Sequence, residues 1–222
     1  MTNRFFDQQN PVMQILSAIF DLAILNILWL VSSLLVFTMG SATVAAATVC
    51  FRMIQDKSSG VMKPFWKSFK TNFRPATAIW LLMLAVIALL SFDLWYFLLV
   101  QSFLSGVVLS IVCGVLLLLL LTALVITTYA ICLTALFENS VRVTLHNAVL
   151  LSLRNLPRSL AVLVADAAMV WLAIYVPLAI PPVTVAVIFL GFSFTIFLNC
   201  WILFPIFKPY LQENEQSDES KA

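Results

Sequence analysis

Residues 94–137 read LWYFLLVQSFLSGVVLSIVCGVLLLLLLTALVITTYAICLTALF, without one charged side chain. A helix crosses about 30 Å of hydrocarbon in about 20 residues. The run is twice that long, so it predicts two spans joined by an uncharged outer turn. Gln101, Ser102, Ser105 and Gly106 form the polar cluster near its start and mark that turn. Working outward, further uncharged runs cover 22–51, 75–92 and 167–207. Pro177, Pro181 and Pro182 break the last of these, because proline lacks a backbone donor and clashes with the preceding turn. Thr38-Met39-Gly40-Ser41 interrupts the first. Six helices follow, at 14–37, 41–55, 75–99, 104–136, 158–178 and 183–206.

Composition agrees with this pattern. The 222 residues are 63% hydrophobic and 10% charged, and mean hydropathy is +1.06. Soluble domains are nearer half apolar and a quarter charged. A cytosolic globular domain, a disordered chain and a secreted disulfide scaffold are excluded. The fold class is all-α: a polytopic transmembrane helical bundle of six spans, or five if 41–55 does not cross. One domain covers 1–210. The acidic tail 211–222 has no apolar face to bury and is expected to be disordered.

Two helices stand out. The segment 41–55 is rich in small residues (Ser41, Ala42, Ala45, Ala46, Ala47) and reaches only about 22 Å. Small residues permit close helix contact in a membrane. The segment 104–136 is about 50 Å long, so it must tilt, kink near Gly114 or protrude.

Of the twelve Lys and Arg, nine fall in the blocks 52–74 and 142–158. Positive loops beside membrane helices mark the cytoplasmic side. Both blocks are flanked by lipid-soluble segments, so the expected partner is the bilayer and not nucleic acid. With six spans both termini lie inside. With five, the N-terminus moves outside. Residues 1–11 lack a basic region joined to an apolar one, so no cleavable signal is expected.

On a helix, Lys63, Lys67, Lys70 and Arg74 fall within an arc of about 60°. Phe65, Trp66, Phe69 and Phe73 fall on a separate arc of about 100°. This predicts an amphipathic helix in the headgroup plane, aromatics toward the acyl boundary and lysines toward anionic lipid. Such a helix serves as a topology anchor, as a docking surface for a cytoplasmic partner, or as both. A second short helix is expected within 139–158, stopped before Pro157; it carries Arg154, and Arg158 follows the stop. Its His146 is the only histidine, and it has no second ligand at metal spacing. The two elements share a faint pattern: Ser68-Phe69-Lys70 through Asn72-Phe73 parallels Ser152-Leu153-Arg154-Asn155-Leu156.

Polar groups inside hydrocarbon are costly and are candidates for function. They are Asp21, Asn26, Asp166 and Asn199, with Asp93 near the outer end of its span. Asp21 and Asp166 serve either as internal hydrogen-bond partners that fix helix packing or as a proton, cation or polar-substrate site. Cys50, Cys113, Cys132 and Cys200 lie in apolar stretches without a CxxC pair and read as small hydrophobes. No Ser-His-Asp, HExxH, GxSxG or P-loop pattern occurs. No enzyme activity, metal or cofactor is expected.

Three blocks resemble the YesL-like bacterial membrane proteins. Asp21-Leu22 through Asn26-Ile27-Leu28-Trp29-Leu30, then Thr38-Met39-Gly40-Ser41-Ala42, is similar to that family's first-helix signature. The second block is Phe65-Trp66-Lys67-Ser68-Phe69-Lys70-Thr71-Asn72-Phe73-Arg74-Pro75-Ala76-Thr77, and the third is Asn147-Ala148 with Asn155-Leu156-Pro157. The family usually carries a proline shortly before the Thr-x-Gly, and Leu35 stands there in this chain. The family has no established function. The resemblance implies a small multi-pass plasma-membrane protein of mostly Gram-positive bacteria, often encoded beside sugar-uptake genes.

The leading expectation is an accessory of a carbohydrate uptake system of the ABC type. Its partners would be the permease subunits, or a second copy of the chain. Lys63, Trp66, Lys67, Phe69, Lys70, Phe73, Arg74, Arg154 and Arg158 are the docking residues. The alternative is a small secondary carrier with a polar path through Asp21, Asn26 and Asp166. A third reading is a structural membrane protein without a ligand.

Overall fold

A computed structural model describes residues 11–57, 60–100, 106–179 and 181–219, and excludes side chains at 11–15, 176–189 and 213–219. The described residues are helical and contain no strand. Eight α-helices follow in order: α1 (Pro11–Ser32), α2 (Met39–Ile54), α3 (Met62–Thr71), α4 (Phe73–Leu99), α5 (Gly106–Leu136), α6 (Val141–Arg154), α7 (Leu156–Ala179) and α8 (Pro181–Glu219). A helix stands at each of the six expected positions; most ends shift by a few residues, and α8 runs on to Glu219, well past the expected 206. Five stretches are long and apolar enough to cross a membrane: Val36–Ile54, Phe73–Leu99, Gly106–Leu136, Leu156–Tyr175 and Leu190–Gln212. The shorter apolar stretch is Leu16–Ser32 of α1, where the sequence pointed to 41–55.

The small-residue helix is the centre of the bundle. α2 buries Gly40, Ser41, Ala42, Val44, Ala45, Ala46, Ala47, Val49, Cys50 and Phe51. It packs against α1, α3, α4, α5 and α8. Lipid tails are as apolar as leucine, so helices in a membrane gain little by hiding leucine from them. They gain by close packing, which small side chains allow. Gly40 marks the tightest approach. A Cβ built there would stand 2.3 Å from Trp80 Cβ and 2.8 Å from the Ala76 carbonyl oxygen. Three buried cysteines from different helices, Cys50, Cys132 and Cys200, belong to this core, and the Cys200 thiol reaches the Ala47 carbonyl at 3.9 Å.

α1 and α2 are joined by a tight turn. α1 ends at Ser32, earlier than the expected 37, and Val36–Thr38 forms one 3-10 turn. No proline is needed: Leu35 is already extended. The Thr38 hydroxyl bonds to the carbonyls of Ser32 at 2.6 Å and Leu35 at 2.8 Å. Trp80 Nε1 donates to the Val36 carbonyl at 2.9 Å. Trp80 lies seven residues into α4, about 10 Å up that helix, and α4 runs about 28 Å further. The α1–α2 turn therefore stands well short of the end of the α4–α5 hairpin.

α5 is one helix of 31 residues, and Gly114 faces open space. Its buried residues begin at Ala123 and continue to Thr134. α4 shows the mirror pattern, with Ala76, Ile79 and Met83 buried near its start. The remaining halves of α4 and α5 pack on each other and present Leu89, Leu99, Val107 and Leu118 outward. α8 continues to Glu219, through most of the stretch that the sequence reading leaves disordered. Residues such as Gln212, Glu213 and Gln216 extend an existing helix at little cost, because nucleation is already done. The turn expected at 101–105 and the residues 1–10 lie outside the described residues.

Candidate functional site: a basic end and an intramembrane cavity

α3 and α6 sit at the same end of the bundle. The Thr48 hydroxyl of α2 lies 2.8 Å from the Ser68 hydroxyl of α3 and 3.4 Å from the Ala135 carbonyl at the end of α5. Both short helices repeat one device. Asn72 and Asn155 each close a short helix, at 62–71 and 141–154, and stand directly before α4 and α7. The Asn72 carbonyl accepts from Ala76 N, and the Asn155 carbonyl from Arg158 N and Ser159 N. The faint sequence parallel thus corresponds to a repeated joint between a short helix and a span.

α3 differs from the lipid-floating helix expected from its pattern. Phe65 is fully buried in the bundle, and Ser68 is tied to Thr48 and to Asn72 Nδ2, the latter at 3.1 Å. Phe69 and Phe73 are half-buried. The rings form a ladder: Phe65 on Phe69 at 6.2 Å, Trp66 on Phe69 at 5.6 Å and Phe69 on Phe73 at 5.7 Å. Of the aromatic arc, Trp66 alone is exposed. Periodicity identifies the apolar face, and burial shows that protein covers it. Lys63, Lys67, Lys70 and Arg74 are exposed, and none makes an ion pair among the described residues. On α6, Arg154 is exposed beside Val143, Leu150 and Leu153, while Arg158 at the start of α7 is half-buried. The exposed His146 is on α6.

The intramembrane candidates divide into separate sites. Asn26 is fully buried, and its Oδ1 accepts from the backbone N–H of Ser193 at 3.0 Å. The Ser193 hydroxyl bonds to the Leu22 carbonyl at 2.8 Å. This clamps α1 onto α8. Asp21 is half-buried with no bonded partner among the described residues. Asp166 pairs with Asn199, whose Nδ2 donates to Asp166 Oδ1 at 2.8 Å. Sequence reading flagged both residues but could not pair them, since they lie 33 positions apart on different helices.

A cavity of about 300 Å³ opens beside Asp166, between α1, α2, α7 and α8. Trp29, Thr43, Met169, Phe192 and Thr195 help to line it. Trp29 and Phe192 stack with centroids 4.6 Å apart. Thr43, Phe192 and Thr195 were not legible as lining residues, because nothing local separates a cavity-lining residue from a lipid-facing one in an apolar run. A second cavity of about 410 Å³ lies at the basic end, where Asn139, Asn147, Arg154 and Tyr210 rim an apolar floor that includes Phe137 and Phe207.

The sequence model of a family described as "Protein of unknown function, DUF624" matches residues 22–94. The matched segment runs from α1 through α2 and α3 into α4, and so contains Asn26, Gly40 and the exposed lysines of α3. No curated protein and no solved structure matches the chain. The apolar spans make the chain an integral membrane protein.

Proposed function

We propose that the chain is an accessory protein of a carbohydrate uptake system of the ABC type in a bacterial plasma membrane. It would bind the permease subunits through α3 and α6 on the cytoplasmic side. The role is binding and not catalysis. The observation that carries it is the build of α3. Phe65 and Ser68 fix the helix to the bundle, so its three lysines are held in one rigid, outward row, with Arg74 following at the start of α4. None of the four has an ion-pair partner among the described residues. A rigid row of unpaired cations suits an acidic protein surface, and charge complementarity supplies both attraction and register. The carbohydrate context comes from the family resemblance.

The test is a pull-down of the tagged protein from native membranes in mild detergent, read by mass spectrometry. Near-stoichiometric permease subunits are expected with the wild-type chain, and their loss with Lys67→Glu/Lys70→Glu. Recovery of the chain alone would refute the role.

The Asp166–Asn199 cavity favours a second reading, a small secondary carrier. That reading requires flux in reconstituted vesicles that disappears in Asp166→Asn. Asn26 would then act by clamping α1 to α8, and Asp166 would carry the path.

A further inference from the structure

We propose that the cavity beside Asp166 is a binding site for a lipophilic organic ammonium ion. The claim concerns binding alone and rests on neither role above. It follows from the polar groups that face the cavity. Asp166 contributes a carboxylate, with Oδ1 taken by Asn199. Asn199 itself stands outside the cavity lining and holds Asp166 from α8. Both lining hydroxyls have spent their protons on backbone: Thr195 on the Gly191 carbonyl at 2.8 Å and Thr43 on the Met39 carbonyl at 2.7 Å. Trp29 has spent its indole N–H on Thr43 Oγ1 at 3.0 Å. The polar groups at the cavity therefore offer acceptor oxygens and aromatic faces but no free donor.

A ligand that completes such a site must bring both the donor and the positive charge. A carboxylate in hydrocarbon is costly unless paired. An ammonium group supplies N–H donors and a positive charge to Asp166. The Trp29–Phe192 pair offers the negative faces that attract cations. The remaining wall, Met169, Val170, Ala173 and Ile196, is apolar and suits a hydrocarbon or aryl body. A bare sodium ion fits poorly, since hard cations want several oxygen ligands and this wall offers few. The volume of about 300 Å³ matches a small drug-sized amine.

The test uses the full chain in phosphatidylcholine nanodiscs with dansylcadaverine, a fluorescent primary ammonium, and its uncharged N-acetyl derivative. Empty discs give the background. Saturable binding of the amine is expected, with binding of the acetyl derivative weaker by at least about tenfold. Asp166→Asn should lose the preference for the amine, and Asp166→Glu should keep it. Trp29→Leu, which retains the carboxylate, should weaken the amine several-fold. Equal binding of the two probes to the wild-type protein would overturn the proposal, as would no binding above empty discs. Unchanged amine binding in Asp166→Asn would do the same. If Asp166→Asn fails to fold, the two probes against the wild-type protein decide. Displacement of the amine by sodium at a fixed total salt concentration would assign the site to the inorganic ion and refute the ammonium reading.

Discussion

Gly40 shows how much one hydrogen atom can matter in this bundle. Its missing Cβ is the space that Trp80 and the Ala76 carbonyl occupy. The nearest atoms are a backbone oxygen and the first carbon of a side chain, so neither can swing away. Gly40→Ala must push α4 off α2, and overpacking of this kind costs about 1–3 kcal/mol. A lower thermal midpoint in detergent is the expected reading, and an unchanged midpoint would show that the helices are not so closely set. Asn26 makes a complementary case. Asn26→Leu keeps the volume but leaves the Ser193 N–H without its acceptor. A buried donor left unpaired costs about 1–3 kcal/mol. Asn26→Asp keeps an acceptor and should restore most of the stability if it folds protonated. Both positions stand in blocks that were visible in the sequence as unusual. The reasons for them were not visible, because Trp80 and Ser193 are far along the chain.

At the scale of elements, α3 tests whether the basic row is held by protein or by lipid. Phe65→Ala empties a fully buried site, and such truncations cost about 3–5 kcal/mol. Ser68→Ala removes the partner of both Thr48 and Asn72, at about 1–2 kcal/mol. If α3 is fixed to the bundle, both variants should expose the 62–71 segment to limited proteolysis in detergent while α4 and α5 stay intact. Lys67→Glu should leave protection unchanged, because that side chain is exposed and has no partner among the described residues. Equal protection in Phe65→Ala would return α3 to the free interfacial helix that its pattern suggests. The helical period placed the lysines and the aromatics on separate arcs, and that much holds. It could not say what lies opposite the aromatic arc, since α2 supplies that surface from an earlier part of the chain.

At the scale of the molecule, the question is how deep the α1–α2 turn lies. Every Lys and Arg from 52 to 208 sits at the end that carries α3 and α6. Hydrocarbon is expected to begin just beyond Arg74, because α4 carries no charge from there to Asp93. About 20 residues further, at Trp95 and Tyr96, the amphipathic aromatics of an interface appear. The α1–α2 turn is bonded to Trp80, about 22 Å short of that belt. Its exposed side chains are Leu34, Leu35, Val36 and Phe37, which suit lipid and not water. Irregular backbone survives at such depth when protein groups satisfy it. Thr38 and Trp80 do so here, and Ser41 Oγ adds a bond to the Thr38 carbonyl at 2.9 Å. This placement predicts that the hairpin turns back inside the bilayer, although Val36–Ile54 is apolar and long enough to cross. Charge-free runs could not reveal this, because a run records solubility in lipid and not the depth at which a helix is set. In a chain with its four cysteines replaced, Leu35→Cys should resist a membrane-impermeant maleimide from either side. Val100→Cys should react from the far side and Lys57→Cys from the basic side. Far-side labelling of Leu35→Cys as fast as Val100→Cys would mean that the hairpin crosses.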